Sequence, residues 1–67
     1  MLSIVVNGSF HVCTDQATVA DLIRELALEG KRVAVERNGE IVPKSRLAET
    51  PLANGDRIEV VRAVGGG

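Results

Sequence analysis

Asn-Gly occurs three times in this chain, and at Asn7-Gly8 and Asn38-Gly39 it lies between short apolar segments. The two central positions of a type I′ turn need positive φ, which Asn and Gly tolerate, so this dipeptide signals a hairpin. The first turn joins residues 2–6, apolar apart from Ser3, to a returning strand over residues 10–14. A two-residue loop sets Val6 opposite Ser9, Ile4 opposite His11 and Leu2 opposite Cys13. Side chains alternate along a strand, so these residues share one face, and Val5, Phe10 and Val12 share the other. The alternation of Leu2, Ile4 and Val6 predicts that their face meets the core. A turn longer than two residues would shift the register and bury Phe10 instead.

Between the two turns lies one amphipathic helix. Thr18 and Asp21 have the spacing of a capping box, with Asp where Glu or Gln is usual. Val19, Leu22, Ile23 and Leu26 recur at i, i+3, i+4 and i+7 and make one apolar stripe, leaving Asp21, Arg24 and Glu25 solvated. Gly30 is the expected left-handed stop, followed by Lys31 and Arg32 at the negative helix end. Residues 33–35 are a β-strand run, Ile41 and Val42 return from the second Asn-Gly turn, and Pro43 ends that strand. Residues 45–52 read as a loop with one short helical turn, anchored by Leu47 and Leu52. Asn54-Gly55-Asp56 is a third turn, and after it Ile58 and Val60 alternate with Arg57 and Glu59 in a half-buried strand. One helix packed across a mixed sheet of four or five strands satisfies every apolar stripe. This is the α+β, β-grasp arrangement. The folded body is expected over residues 1–64, with residues 65–67 as a flexible glycine tail.

Size and charge narrow the function. A chain of 67 residues allows one domain and buries only about 60% of the surface its unfolded form exposes. That leaves no room for a deep pocket with its own chemistry, so an autonomous enzyme is not expected. Net charge is −1 with both signs interspersed, so the basic stripe of a nucleic-acid binder is absent. Apolar runs of a few residues are far short of a membrane span, and no leader peptide is read at the N-terminus. A single Cys forms no internal disulfide, which suits the cytoplasm.

His11 and Cys13 alternate on one strand face, as a pair of metal ligands would. Zinc sites use three or four ligands, the chain has no further Cys or His, and no carboxylate is singled out by its spacing. The two are therefore read as packing residues, with no metal expected, and nothing supports Cys13 as a nucleophile. Neither Asn7-Gly8 nor Asn38-Gly39 precedes a helix with phosphate-loop glycine spacing, so these two are read as plain turns. Glu36, Arg37 and Glu40 are read as a solvated face with weak cross-strand pairing. Gly65-Gly66-Gly67 differs from all of these. A thread without side chains permits any backbone conformation and close approach by another protein, so it can enter a narrow channel. The functional group is then the Gly67 carboxylate; a merely frayed terminus is the alternative.

End to end, the chain resembles the ThiS family, the sulfur carriers of thiamine biosynthesis, which have the ubiquitin-like β-grasp fold. The matching pieces are Val6-Asn7-Gly8, then Thr18-Val19 with Leu22-Ile23, then Val35-Glu36-Arg37-Asn38-Gly39-Glu40-Ile41-Val42-Pro43. Asn54-Gly55-Asp56, Ile58-Glu59-Val60-Val61 and Val64-Gly65-Gly66-Gly67 complete the set. The resemblance implies a protein co-substrate that is not itself a catalyst. A partner adenylyltransferase uses ATP to convert the terminal carboxylate to an acyl adenylate. Sulfur delivered as a persulfide then displaces AMP and leaves a thiocarboxylate, which thiazole synthase uses to build its ring. On this reading Gly67 is the modified residue, Gly65 and Gly66 thread the partner active sites, and no cofactor is bound. Other readings are the small subunit of molybdopterin synthase, a sulfur carrier of another pathway, a ubiquitin-like modifier and a plain interaction module. A tail handled by two enzymes also requires the body to dock on each. The open sheet face with Val5, Phe10 and Val12 is the expected surface, Phe10 being the chain's only aromatic residue.

Overall fold

Asn7-Gly8 and Asn38-Gly39 each form a two-residue turn in the computed structural model, which describes residues 1–62. Asn7 and Gly8 have φ of 49° and 86°, and Asn38 and Gly39 have φ of 52° and 88°. These are the left-handed values that the turn type demands. The first turn joins β1 (Leu2–Val6) to β2 (Ser9–Cys13), with Leu2 opposite Cys13, Ile4 opposite His11, Val5 opposite Phe10 and Val6 opposite Ser9. That is the register expected of a two-residue loop. The second turn joins β3 (Val33–Arg37) to β4 (Glu40–Val42). With β5 (Arg57–Arg62) these strands make one mixed sheet in the order β2-β1-β5-β3-β4, β5 lying parallel to β1 and antiparallel to β3.

The helix α1 (Val19–Glu25) covers one face of the sheet. Thr18 caps it in the expected box: its hydroxyl accepts from the Asp21 N–H, and the Asp21 carboxylate accepts from the Thr18 N–H at 2.9 Å. Val19, Leu22 and Ile23 are buried against Ile4, Val6, Cys13, Val35, Ile58 and Val60, while Ala17 and Leu52 close the core. A 3₁₀ segment over Lys44–Glu49 supplies the short turn expected there and packs Leu47 on the core. Pro43 ends β4, an edge strand.

Two expectations are corrected. The helix stops at Glu25, well before Gly30, and Leu26 is its half-buried cap rather than a core residue. The Leu28 N–H donates to the Ile23 carbonyl and the Ala27 N–H to the Arg24 carbonyl, which is a Schellman ending with Ala27 at φ 60°. The reason lies in Leu28. In a continued helix it would sit about 180° around from Val19 and face water; the early stop turns it back onto the core, where it is half-buried.

The second correction concerns Arg37, which does not belong to a solvated face. It shares the inner face with Val35 and pairs with the buried Asp56, Nε to Oδ2 at 2.8 Å. Asp56 also accepts from Asn38 Nδ2 and from the Ala53 N–H, at 2.9 and 2.8 Å. Burial pushes its carboxyl upward, but the hydrogen bonds from Arg37, Asn38 and Ala53 together with the Arg37 charge hold it below the usual carboxylate value. Glu36 and Glu40 are exposed, as expected. Among the described residues no helix is long and apolar enough to cross a membrane.

Candidate functional site

β5 (Arg57–Arg62) is the last described strand and precedes the C-terminal glycines in the sequence. Gly65, Gly66 and Gly67 themselves lie outside the described residues. β5 is the middle strand of five, and its antiparallel ladder with β3 continues to Arg62 opposite Val33. On its other side the parallel ladder with β1 is short, ending at Val6 opposite Ile58, because β1 leaves for its hairpin. The Asn7 side chain takes over where β1 stops. Its Oδ1 accepts from the Val60 N–H at 2.8 Å and its Nδ2 donates to the Val60 carbonyl at 3.1 Å, while the Asn7 backbone N–H donates to the Ile58 carbonyl.

Asn38 does the same for the start of β5. Its Oδ1 accepts from the Arg57 N–H at 2.9 Å, and its backbone N–H donates to the Arg57 carbonyl at 2.8 Å. Asn7 and Asn38 therefore each supply a left-handed turn position and an amide that pairs with β5 backbone. Reading the turns as plain missed this second role. Asn7 and Val60 are 53 residues apart, so no local pattern announces their contact.

The sheet face away from α1 is open. Val5, Phe10 and Val12 lie on it together, as the hairpin register requires, and Phe10 is 84% exposed. Phe10 pairs with Val5 and Val5 with Arg57, so one row of side chains runs from the edge strand to β5. Because β1 and β5 are parallel, the C-terminal end of β5 lies at the Asn7-Gly8 end of the hairpin. Phe10 is nearer that end than Val12, which pairs with Ser3. Val61, exposed on β5 itself and opposite Ala34, lies on the same face, with Arg57 and Glu59 before it along the strand.

On the helix side, a cavity of about 510 Å³ is lined by Ile23, Leu28 and Leu47 together with Arg24, Lys31 and Lys44. None of Val5, Phe10, His11, Val12 and Cys13, the candidate residues weighed for a site within the described region, lines it. His11 and Cys13 do share the inner face, and the structure adds what their spacing withheld: Glu25, with the ligand atoms of all three within 4.8 Å of one another. Cys13 is buried, and that burial, with the Glu25 charge second, pushes its thiol above the ordinary value. A raised thiol argues against a nucleophilic role for Cys13.

Comparison with known proteins gives a consistent picture. The sequence profile of the ThiS family matches residues 4–67. The sulfur carrier protein ThiS of Bacillus subtilis is 49% identical over 53 residues, covering 79% of this chain and 80% of that protein. A thiazole synthase of Paramagnetospirillum magneticum is 42% identical over 66 residues, covering 98% of this chain. This chain spans only 20% of that protein's length. Among solved structures, the crystal structure of the thiamine biosynthesis protein ThiS from Geobacter metallireducens superposes with a TM-score of 0.83 at 28% identity. It covers 98% of this chain and all of the other.

Proposed function

The chain belongs to the ThiS family, and on that premise we propose that it is a sulfur carrier protein of thiamine biosynthesis whose Gly67 carboxylate is the group that carries sulfur. A carboxylate is a poor acyl donor, because its leaving group would be oxide. A partner adenylyltransferase supplies a better one: a Gly67 oxygen attacks the α-phosphorus of ATP, pyrophosphate leaves, and an acyl adenylate results. A persulfide sulfur from the sulfur donor then attacks the acyl carbon and AMP departs. A thiol then attacks the donor-side sulfur of the resulting acyl disulfide and forms a new disulfide with it, so that Gly67 leaves as a thiocarboxylate, the sulfur source for thiazole synthase. ATP belongs to the activating partner, and this chain is the co-substrate.

One observation supports the reading above the others: β5 is central, and the two asparagine amides fasten it to the turns on either side. A rigid strand of this kind gives the glycines a fixed origin beside the open face with Val5, Phe10 and Val12, which we assign to partner docking. Gly65 and Gly66 present no side chain to a narrow channel. The thiazole synthase relatives, which hold a similar segment within a longer chain, favour thiazole synthase as the receiving partner. The test is an adenylation assay with ATP and the adenylyltransferase, on the full chain and on a chain lacking Gly67. The full chain is expected to form AMP-linked protein and the shortened chain none; equal adenylation of both would refute the assignment of Gly67.

A further inference from the structure

Three metal-ligating side chains of different chemistry meet on the side of the sheet covered by α1, away from the open face. His11 and Cys13 are two residues apart on the edge strand β2 and point to the inner face, opposite Ile4 and Leu2. Glu25 is the last residue of α1, and its carboxylate comes within 4.8 Å of both the imidazole and the thiol. Among the described residues, none of the three side chains takes part in a hydrogen bond or an ion pair. Cys13 is buried, His11 half-buried and Glu25 exposed, so the cluster is walled by protein on the sulfur side and open to water on the carboxylate side.

We propose that His11, Cys13 and Glu25 bind one zinc ion at the junction of β2 with the end of α1, with water as a fourth ligand. The donor set is one nitrogen, one sulfur and one oxygen. Thiolate and imidazole together favour zinc over the magnesium and calcium that all-oxygen sites select. Tetrahedral zinc holds such donors at about 2.0–2.3 Å, which places them roughly 3.3–3.8 Å from one another. The donors lie up to 4.8 Å apart, so closure by about an ångström is required. The exposed Glu25 side chain, at the helix terminus, has the freedom to supply it. A bound ion ties the edge strand to the helix end through two ligands on one and one on the other.

Cobalt(II) titration of the reduced, full-length protein at neutral pH tests the site, since cobalt takes zinc positions and reports its ligands by absorption. One cobalt per chain is expected, with a thiolate-to-cobalt charge-transfer band and visible bands of tetrahedral intensity, all abolished by one equivalent of zinc. Cys13→Ser should remove the charge-transfer band. His11→Gln and Glu25→Gln should each weaken cobalt affinity roughly tenfold or more, the scale on which even outer-shell changes act. Glu25 is exposed, so Glu25→Gln leaves the fold intact by circular dichroism and keeps the test informative if Cys13→Ser does not fold. Wild-type protein without a thiolate band, or equal cobalt affinity in wild type, Glu25→Gln and His11→Gln, overturns the proposal.

Discussion

Replacing Asn7 with glycine separates the two jobs that this residue performs. Glycine keeps the turn, because φ of 49° costs it nothing, but it removes both side-chain hydrogen bonds to Val60. These bonds are partly buried, and each contributes about 0.5–1.5 kcal/mol net, so their loss is worth about 1–3 kcal/mol. Relief of left-handed strain and the greater unfolded-state freedom of glycine act in opposite directions and largely offset. At roughly 0.05–0.15 kcal/mol per residue, the whole domain has on the order of 3–10 kcal/mol to lose. Asn7→Ala removes the same two bonds and adds about 1–2 kcal/mol for a left-handed non-glycine residue. Urea melts of the three proteins should therefore rank wild type above Asn7→Gly above Asn7→Ala. Amide exchange at Val60 should accelerate in both variants. If Asn7→Gly melts with the wild type, or exchange at Val60 is unchanged, the amide does not hold β5 and the rigid-origin argument fails.

Ala27→Gly should stabilise the protein by about 1 kcal/mol, because Ala27 occupies the left-handed position of the Schellman ending at φ 60°; a melt that falls instead would show that Ala27 is not strained there. Asp56 makes stability depend on acid: its folded pKa lies below its unfolded value, so its contribution is present above about pH 4 and is lost as pH falls through the folded pKa. Asp56→Asn should be less stable than wild type at neutral pH, with the gap narrowing in acid, and a gap constant with pH would contradict this. Phe10→Ala should change stability by no more than roughly ±0.5 kcal/mol, since the ring is 84% exposed. The same change should weaken calorimetric binding to the adenylyltransferase or thiazole synthase; unchanged affinities would remove Phe10 from the docking surface.

What the sequence disclosed and what it withheld follow from the range of the contacts. The register that places Phe10 beside Val5 came from a two-residue turn and a period of two, and both are local. The Thr18–Asp21 cap spans three residues and was equally legible. The end of α1 was not, because the glycine rule favours Gly30, whereas the chain accepts strain at Ala27 to bring Leu28 back to the core. Arg37 looked like one charge among solvated neighbours, and only Asp56, 19 residues on, turns it inward. Glu25 joins His11 and Cys13 through the docking of helix on sheet, which no ligand spacing encodes. The glycine tail was read from residue type alone.

The central claim concerns one atom pair at the end of the chain, and mass spectrometry of the C-terminal peptide reads it directly. Protein purified from cells making thiamine, under conditions that preserve thioacids, should contain a fraction in which one oxygen of Gly67 is replaced by sulfur. Incubation with thiazole synthase and its small-molecule substrates should return that fraction to the carboxylate. A C-terminal peptide that carries only oxygen, both in such cells and after incubation with ATP, the adenylyltransferase and the persulfide donor, would contradict the account.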